Sequence, residues 1–269
     1  MTLRVKRKDS AMGSENSSET DDQIKQKLAD RFEILDILTQ QCLNGNIRSV
    51  IVSGPPGLGK SYTVENRLND WDSSGNNYKI IKGYVRATGL FKTLYEYRNK
   101  GQVIVFDDAD TVFFDDTSLN LLKSVCDTTE KRFVSWLSQA KFKDEDDNVV
   151  PSTFEFNGSV IFITNLDFDA MIGKNHKLAP HLSALISRSH YVDLAMKTKR
   201  DCIIRIQQVL EQGLLDGLNS TERNDVVSFL SENYKNLREL SLRMAIKLGN
   251  IRRSNSNWQK IAKITCCKN

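Results

Sequence analysis

The spacing of apolar residues changes along the chain, and these changes predict the order of its elements. Between Ile24 and Cys42 apolar residues recur every three or four positions, which predicts an amphipathic helix. Short β-branched runs separated by helical or mixed segments predict four strands, at residues 49–53, 78–85, 103–106 and 160–163. Strands that alternate with helices imply a parallel sheet covered on both faces, so we expect an α/β fold.

The remaining apolar segments predict an insertion and a second, helical region. Two β-prone pieces, 132–138 and 152–156, flank the acidic residues 144–147, which predicts a hairpin with a solvated tip. After about residue 194 every apolar segment has helical spacing, at 202–210, 225–230, 237–251 and 258–264. We therefore predict a base domain at 24–195 with a hairpin insertion near 132–156, and a small all-α domain at 196–269.

Composition narrows the class of protein. Residues 1–23 combine a basic start with Ser, Asn, Glu and Asp, which predicts a disordered polar tail. The chain has 38 Lys and Arg against 34 Asp and Glu. The resulting net charge of +4 is too small to identify a binding partner. No apolar run approaches the roughly 18 residues of a membrane span, and the start lacks the apolar core of a signal peptide. We expect a soluble protein without membrane association, located in the cytoplasm, or in the host cytoplasm if the chain is viral.

The five cysteines do not predict a disulfide framework or a zinc site. Their number is odd, and they are scattered without the paired spacing of metal ligands. We expect them to be buried or incidental thiols.

A glycine-rich segment after the first predicted strand carries the strongest chemical signal. It matches the phosphate-binding pattern GxxxxGK[ST] and is followed by a predicted helix. Glycines let backbone N–H groups approach phosphate oxygens, Lys60 is placed to reach the β- and γ-phosphates, and the Ser61 hydroxyl is a ligand for Mg²⁺. The predicted nucleotide-binding residues are Gly54, Pro55, Pro56, Gly57, Leu58, Gly59, Lys60, Ser61 and Tyr62.

The third predicted strand ends in two carboxylates, Asp107 and Asp108. Beside a phosphate-binding loop, Asp107 is expected to hold the Mg²⁺ and its water, with Ser61 as the other protein group at the metal. Asp108 would act as the general base that polarises the attacking water. The ordinary alternative is that the two acidic residues only mark the end of a strand.

Four segments in this order resemble the AAA+ ATPases, in particular the clamp-loader and replication-initiator branch, over about residues 32–249. They are 54–61, 107–110, 160–165 and 184–189, of which the first two correspond to the Walker A and Walker B motifs. The resemblance implies a P-loop NTPase αβα sandwich with a parallel sheet, followed by a small all-α lid domain. It also implies ATP and Mg²⁺ as cofactors.

The same resemblance implies roles for polar residues outside the two motifs. Asn165 corresponds to sensor 1, which helps to position the attacking water. Arg188 corresponds to the arginine finger, which reaches the γ-phosphate of a neighbouring subunit. Segment 236–240 resembles the helix-opening Asn-x-Arg-Glu-Leu motif of replication initiators, which favours Arg238 as sensor 2, the lid arginine that contacts the nucleotide. Arg243, five residues on, is the rival candidate. Each role has an ordinary alternative. Asn165 could simply end a strand, Arg188 could form a surface ion pair, and the two lid arginines could be solvated helix residues.

The chain departs from the family at the predicted base. Most members have Glu where this chain has Asp108, a side chain one methylene shorter, so hydrolysis could be slow. The leading hypothesis is an AAA+ ATPase that hydrolyses Mg·ATP at the interfaces of an ATP-dependent homo-oligomeric ring or spiral. It would drive remodelling or loading of a macromolecular partner, DNA or a DNA-bound replication protein, in DNA replication or metabolism. The alternatives are a slow or non-hydrolysing ATP-dependent adaptor and a small-molecule phosphotransferase.

Overall fold

The structure, a computed structural model, describes residues 19–137, 142–143, 147–174 and 176–268. Within these residues the strands are β1 (Ser49–Ser53), β2 (Tyr78–Lys82), β3 (Val103–Asp107), β4 (Phe133–Ser135), β5 (Phe142–Lys143), β6 (Val149–Val150), β7 (Thr153–Glu155), β8 (Ser159–Thr164) and β9 (His190–Asp193). The helices are α1 (Asp21–Leu43), α2 (Lys60–Trp71), α3 (Ala87–Glu96), α4 (Asp116–Val125), α5 (Phe168–Gly173), α6 (Ala179–Ile186), α7 (Lys199–Glu211), α8 (Ser220–Asn233), α9 (Leu242–Ser254) and α10 (Trp258–Cys266).

Five strands form one parallel sheet in the order β2-β3-β8-β1-β9, which confirms the predicted α/β class. Every residue of β1, β3 and β8 is buried. Successive side chains of a strand face opposite sides of the sheet, so both faces of its centre are covered. The carboxyl ends of the central strands lie side by side because Ser53 pairs with Thr164 and Asp107 with Ile163.

The core on one face of the sheet is rich in aromatic side chains. Phe106 and Phe162 stack with ring centroids 5.2 Å apart, and Phe113 packs against Phe162 and Phe168 at 5.5 and 5.2 Å. These rings and apolar residues of α3, α4 and α6 form one contiguous buried cluster. The cluster holds the flanking helices against the sheet by burying apolar area.

The predicted insertion is present as two short antiparallel pairs, β4 with β7 and β5 with β6. Residues 144–146 of its predicted acidic tip lie outside the described residues. At the base of the insertion, the guanidinium of Arg132 is buried. It donates hydrogen bonds to the carbonyl of Val125 and, at 2.9 Å, to the carbonyl of Gly158. Burial lowers the pKa of Arg132 to about 10.

The described residues fall into two compact units. One contains the sheet and spans 29–55 and 59–194, whereas the other is helical and spans 19–28, 56–58 and 195–268. α1 begins at Asp21, inside the predicted tail 1–23, of which residues 1–18 lie outside the described residues. Its start is fixed by Thr20 and Gln23, which exchange side-chain to backbone hydrogen bonds of 2.8 and 3.3 Å in a capping box.

The helices of the C-terminal region begin at side-chain caps that the apolar pattern did not reveal. α7 begins at a capping box formed by Thr198 and Asp201. α8 begins at one formed by Asn219 and Glu222. Ser241 caps α9, so this helix starts at Leu242 and the predicted start at residue 237 is wrong. Leu237 instead forms an isolated antiparallel bridge with Cys267, the residue after α10.

All five cysteines are buried and carry free thiols, as expected from the sequence. Burial raises the pKa of Cys42 and of Cys202 to about 12 and that of Cys126 to about 11. None of the helices within the described ranges combines the length and the apolar character needed to cross a bilayer.

Candidate functional site

The glycine-rich segment connects the end of β1 to the start of α2. Gly57 and Gly59 have φ angles of 72° and 104°, in the left-handed region that glycine adopts without steric cost. The first turn of α2 contains no acidic residue, and its N-cap, Gly59, has no side chain to cover the free N–H groups. The helix start at the carboxyl edge of the sheet therefore has the backbone geometry and the uncovered N–H groups that suit an anion.

Lys60 is buried at the first position of α2. Its ammonium group donates hydrogen bonds to the carbonyls of Gly54 and Pro55, at 2.7 and 2.8 Å, and to Oδ1 of Asn165, at 2.8 Å. Asn165 follows β8, so a residue predicted as sensor 1 lies in contact with the predicted phosphate-binding lysine. These contacts hold one positive charge at the mouth of the glycine-rich loop.

Ser61 and Asp107 form the oxygen-rich part of the site. The Ser61 hydroxyl donates to Oδ1 of Asp107 at 2.8 Å, and the Asp107 side chain is almost fully buried. A hydroxyl and a carboxylate are hard oxygen ligands of the kind that Mg²⁺ takes, and such sites usually keep several waters. The residues present therefore fit the metal that the sequence predicts.

Asp108 has an unusual backbone conformation beside Asn165. Its φ is 53°, in the left-handed region, where Asp and Asn are the most frequent residues after glycine. The Asp108 N–H donates to the carbonyl of Ile163 at 3.0 Å, and its Oδ1 accepts a hydrogen bond of 2.7 Å from Nδ2 of Asn165. Asn165 thus bridges Lys60 and Asp108 through the two ends of one amide group.

Two polar contacts of the site were not predicted from the sequence. Nζ of Lys82 lies 3.2 Å from Oδ2 of Asp107 and 2.6 Å from Oε1 of Glu65. These contacts raise the pKa of Lys82, with the hydrogen bond to Glu65 as the largest cause. Lys82 and Asp107 are direct neighbours in the register of β2 and β3, and only that register, which the sequence does not contain, would have identified the pair.

The second unpredicted contact joins Asp110 to Thr164, whose hydroxyl donates to Oδ1 of Asp110 at 2.7 Å. Burial raises the pKa of the Asp110 carboxyl, and this hydrogen bond partly opposes the shift. Thr164 also accepts a hydrogen bond of 3.0 Å from the N–H of Leu166. The contact therefore fixes the chain on both sides of Asn165 relative to the segment after Asp108.

Arg188 lies away from the other predicted residues of its own chain. It follows α6, and its carbonyl accepts a hydrogen bond of 3.1 Å from the hydroxyl of Ser49, the first residue of β1. The glycine-rich loop begins after the last residue of β1, roughly 15 Å along the strand. The Arg188 guanidinium contacts Asp127 at 3.6 Å and donates to the carbonyl of Ala184 at 2.8 Å. The structure does not bring Arg188 to the loop of the same chain.

In the helical unit, Gly57 lies against the start of α9. Its carbonyl accepts a hydrogen bond of 2.7 Å from the N–H of Leu242, and a Cβ on Gly57 would lie 2.7 Å from Cβ of Ser241. The same Cβ position is 3.8 Å from Nη1 of Arg243. Arg238 precedes the helix, is exposed, and donates its N–H to the carbonyl of Cys266 at 2.8 Å. Of the two candidate arginines, Arg243 is the one beside Gly57 within the helical unit.

Other members of the predicted binding segment differ in exposure. Leu58 is fully buried, whereas Tyr62 in the first turn of α2 is 67% exposed. The Tyr62 ring is therefore accessible to a bound molecule, while Leu58 anchors the loop. The role of Tyr62 as a nucleotide contact stays a prediction.

Comparison with known proteins shows that the chain is similar in sequence to a phage protein. No protein-family model matches it. It is 36% identical over 253 residues to the uncharacterized 36.7 kDa protein in the nrdC-mobD intergenic region of Enterobacteria phage T4, covering 92% of this chain and 77% of that protein.

Among solved structures, the chain is similar to NtrX from Brucella abortus at 14% identity. One NtrX structure aligns over 86% of this chain and 54% of NtrX with a TM-score of 0.40. The complex of NtrX with ADP aligns over 83% and 51% with a TM-score of 0.41. This chain thus spans about half the length of the NtrX chains that it matches.

Proposed function

This chain belongs to the same family as the 36.7 kDa protein of Enterobacteria phage T4, and we propose that it is an AAA+ ATPase that binds and hydrolyses Mg·ATP. One observation carries the proposal: Asn165 joins the buried Lys60 to Asp108 through hydrogen bonds of 2.8 and 2.7 Å. In-line hydrolysis of a γ-phosphate needs a phosphate-binding lysine, a polar residue at the strand end and a carboxylate, and here the three are connected by hydrogen bonds.

Binding rests on the loop and on the two oxygen ligands beside it. Backbone N–H groups at the start of α2 and the Lys60 ammonium hold the β- and γ-phosphates. Ser61 and Asp107 hold Mg²⁺, which neutralises charge on the phosphate oxygens when it is bound. We assign the sensor 2 role to Arg243 rather than to Arg238, because within the helical unit Nη1 of Arg243 is 3.8 Å from the position of a Cβ on Gly57.

Asp108 acts as the general base, and its backbone explains why the chain has Asp where most of the resembled family has Glu. At a φ of 53° Asp is tolerated better than Glu, because its short polar side chain suits the left-handed region. The hydrogen bond from Asn165 holds the carboxylate toward Lys60. We infer that the left-handed backbone at Asp108, rather than a longer side chain, places the base.

Replacing Asp108 by asparagine tests this role with little change of shape. Asn tolerates the left-handed backbone equally well but cannot accept a proton. We expect Asp108→Asn to retain ATP binding and to lower the rate of phosphate release by roughly 10²–10⁴-fold, the usual contribution of a general base. Steady-state phosphate release and binding of a fluorescent ATP analogue, measured on the same preparation, check this prediction.

The adaptor hypothesis gives the opposite outcome. If the wild-type protein binds ATP but releases phosphate no faster than Asp108→Asn, then Asp108 is not a working base and the chain is an ATP-dependent binding module. Asp108→Glu separates the two cases further. It should accelerate turnover only if Asp108 is too short for its task, and should slow turnover if the left-handed backbone is what places the carboxylate.

Arg188 completes the site of a neighbouring copy in this proposal. Its distance along the sheet from its own glycine-rich loop supports action across a subunit boundary, in a homo-oligomeric ring or spiral that ATP assembles. A guanidinium there stabilises charge on the transferring phosphoryl group. Asp127 and the carbonyl of Ala184 hold Arg188 from within its own chain.

Mixing two inactive variants tests the shared site. Arg188→Ala keeps the glycine-rich loop but lacks the finger, whereas Lys60→Ala keeps the finger but lacks the phosphate-binding charge. We expect Arg188→Ala alone to lose about 10³-fold in turnover, the usual effect of a missing arginine finger. An equimolar mixture of the two variants should regain turnover, because some interfaces then combine an intact loop with an intact finger.

Arg200→Ala is the matched control for this experiment. Arg200 follows Arg188 in the sequence and forms an ion pair with Asp21 in the helical unit. Its loss should leave turnover within about 2-fold, as for a surface ion pair. A monomeric protein in the presence of a non-hydrolysable ATP analogue, or full turnover of Arg188→Ala, would contradict assembly through Arg188.

The biological role follows only by analogy with the branch of AAA+ ATPases that the motifs resemble. We propose that ATP hydrolysis remodels or loads a macromolecular partner in DNA replication or metabolism, within the cytoplasm. DNA or a DNA-bound replication protein is the proposed partner. An ATPase assay with and without DNA across a range of protein concentrations tests both the partner and the assembly.

A further inference from the structure

Residues 242–269 contain seven Lys or Arg and no Asp or Glu. The whole chain carries a net charge of +4, so residues 1–241 together carry −3. The positive charge is therefore concentrated in α9, α10 and the residues that follow them. A nearly balanced total hides a strongly basic end of the molecule.

Four exposed cations lie on α10 or beside its carboxyl end: Arg238, Lys260, Lys263 and Lys268. We call them the C-terminal basic surface. Lys260 and Lys263 are three residues apart and share one face of the helix. The opposite face carries the buried residues Trp258, Ala262 and Cys266. The helix thus presents its cations outward because its apolar face is already used inside the helical unit.

Backbone contacts bring the other two cations to the same place. The N–H of Arg238 donates to the carbonyl of Cys266 at 2.8 Å, and the N–H of Lys268 donates to the carbonyl of Asn236 at 2.7 Å. Burial raises the pKa of the Cys267 thiol, and the charges of Lys263 and Arg238 both oppose this rise. Both charges therefore lie near one thiol. The adjacent acidic residue, Glu239, contacts Lys247 at 3.3 Å.

The chemistry of this surface fits the phosphates of duplex DNA better than a membrane or a single strand. Trp258 is the only aromatic residue in 242–269, and it is buried against Phe229 with ring centroids 5.3 Å apart. The Trp258 ring is therefore not available for stacking on unpaired bases, which single-strand binding uses. A membrane-surface helix needs an exposed apolar face, and α10 exposes only one large aliphatic side chain, Ile264.

We propose that the C-terminal basic surface binds the phosphate backbone of duplex DNA without reading its sequence. Each lysine or arginine that neutralises a phosphate releases a counterion, so binding of this kind weakens steeply with salt. Lysine and arginine contacts to phosphates position a duplex but carry no sequence information. The surface binds DNA in the absence of ATP, so its test is independent of hydrolysis.

The test uses the full chain and a fluorescein-labelled DNA duplex of about 30 base pairs, followed by anisotropy from 50 to 200 mM salt. Lys260→Glu/Lys263→Glu should weaken binding by about 10-fold or more, and should reduce the slope of log affinity against log salt by about 2. Lys260→Gln/Lys263→Gln, which adds no acidic charge, should reduce the slope by the same amount with a smaller loss of affinity.

Lys174→Glu/Lys177→Glu is the matched control, since it makes the same charge change at two exposed lysines of the sheet unit. It should keep the wild-type slope and affinity within about 2-fold. ATP turnover without DNA should be equal in all variants, so a failure of DNA binding is distinguishable from a failure of the proposed ATPase. Equal loss in both double variants would overturn the proposal. So would tighter binding of single-stranded DNA or of phosphatidylserine vesicles than of the duplex.

Discussion

Lys60→Ala should abolish ATP-dependent activity of the protein. The Lys60 ammonium is buried, and it is held at the mouth of the loop by two carbonyls and the Asn165 amide. Without it, the γ-phosphate loses its charged partner and Asn165 loses a hydrogen bond that orients it toward Asp108. We expect turnover to fall by about 10³-fold, within the range for losing one preorganised donor at a reacting centre. Phosphate release and equilibrium binding of a fluorescent ATP analogue measure the loss.

The control for this variant is Lys79→Ala, which removes an exposed lysine from the edge strand β2. Its turnover should equal that of the wild type. Thermal unfolding of Lys60→Ala should show that the variant is still folded, because alanine is favourable in a helix. Wild-type turnover in Lys60→Ala would show that the glycine-rich loop does not hold the reacting phosphates, and the proposed function would fail.

Gly158→Ala should destabilise the sheet unit by about 3 kcal/mol, the upper end of the usual cost of overpacking. A Cβ at Gly158 would lie 2.5 Å from the carbonyl oxygen of Tyr97 and 3.0 Å from that of Gln102. Both are backbone atoms, so no side chain can rotate away. The Gly158 carbonyl also accepts the 2.9 Å hydrogen bond from buried Arg132, which a shift of the chain would lengthen. Thermal unfolding should show a midpoint lowered by roughly 6–12 °C.

Gly89→Ala provides the matched comparison. Gly89 lies in α3, and a Cβ there meets no atom within 4 Å. Alanine should therefore be neutral or stabilising by about 0.5–1 kcal/mol, the gain from lower chain entropy in a helix. If both variants melted at the same temperature, the close approach at Gly158 would not limit stability.

Much of the sheet could be predicted because burial on both faces leaves a strong local signal. β1, β3 and β8 are continuous apolar runs, and each was predicted at nearly its observed position. β9 was missed because it is a four-residue edge strand with partly exposed side chains, and only Tyr191 and Val192 favour a strand there. β2 was predicted three residues too long, since Gly83 ends it in the left-handed region.

The site could be predicted in its parts but not in its contacts. The glycine-rich loop and the acidic strand end are local patterns, so Lys60, Ser61 and Asp107 could be named from the sequence. The contact between Lys82 and Asp107 depends on the register of two strands far apart in the chain, and no local pattern encodes it. The start of α9 was misplaced because the apolar spacing already begins at Leu237, whereas the cap at Ser241 decides where the helix begins.

The burial of every cysteine has a practical consequence for following assembly in solution. Thiolates, not thiols, react with maleimides, and burial keeps the thiols of Cys42, Cys126 and Cys202 protonated far above neutral pH. A cysteine introduced at an exposed position such as Lys174 would be the preferred target of a fluorophore. Energy transfer between labelled copies could then report the arrangement of subunits without removal of the native cysteines.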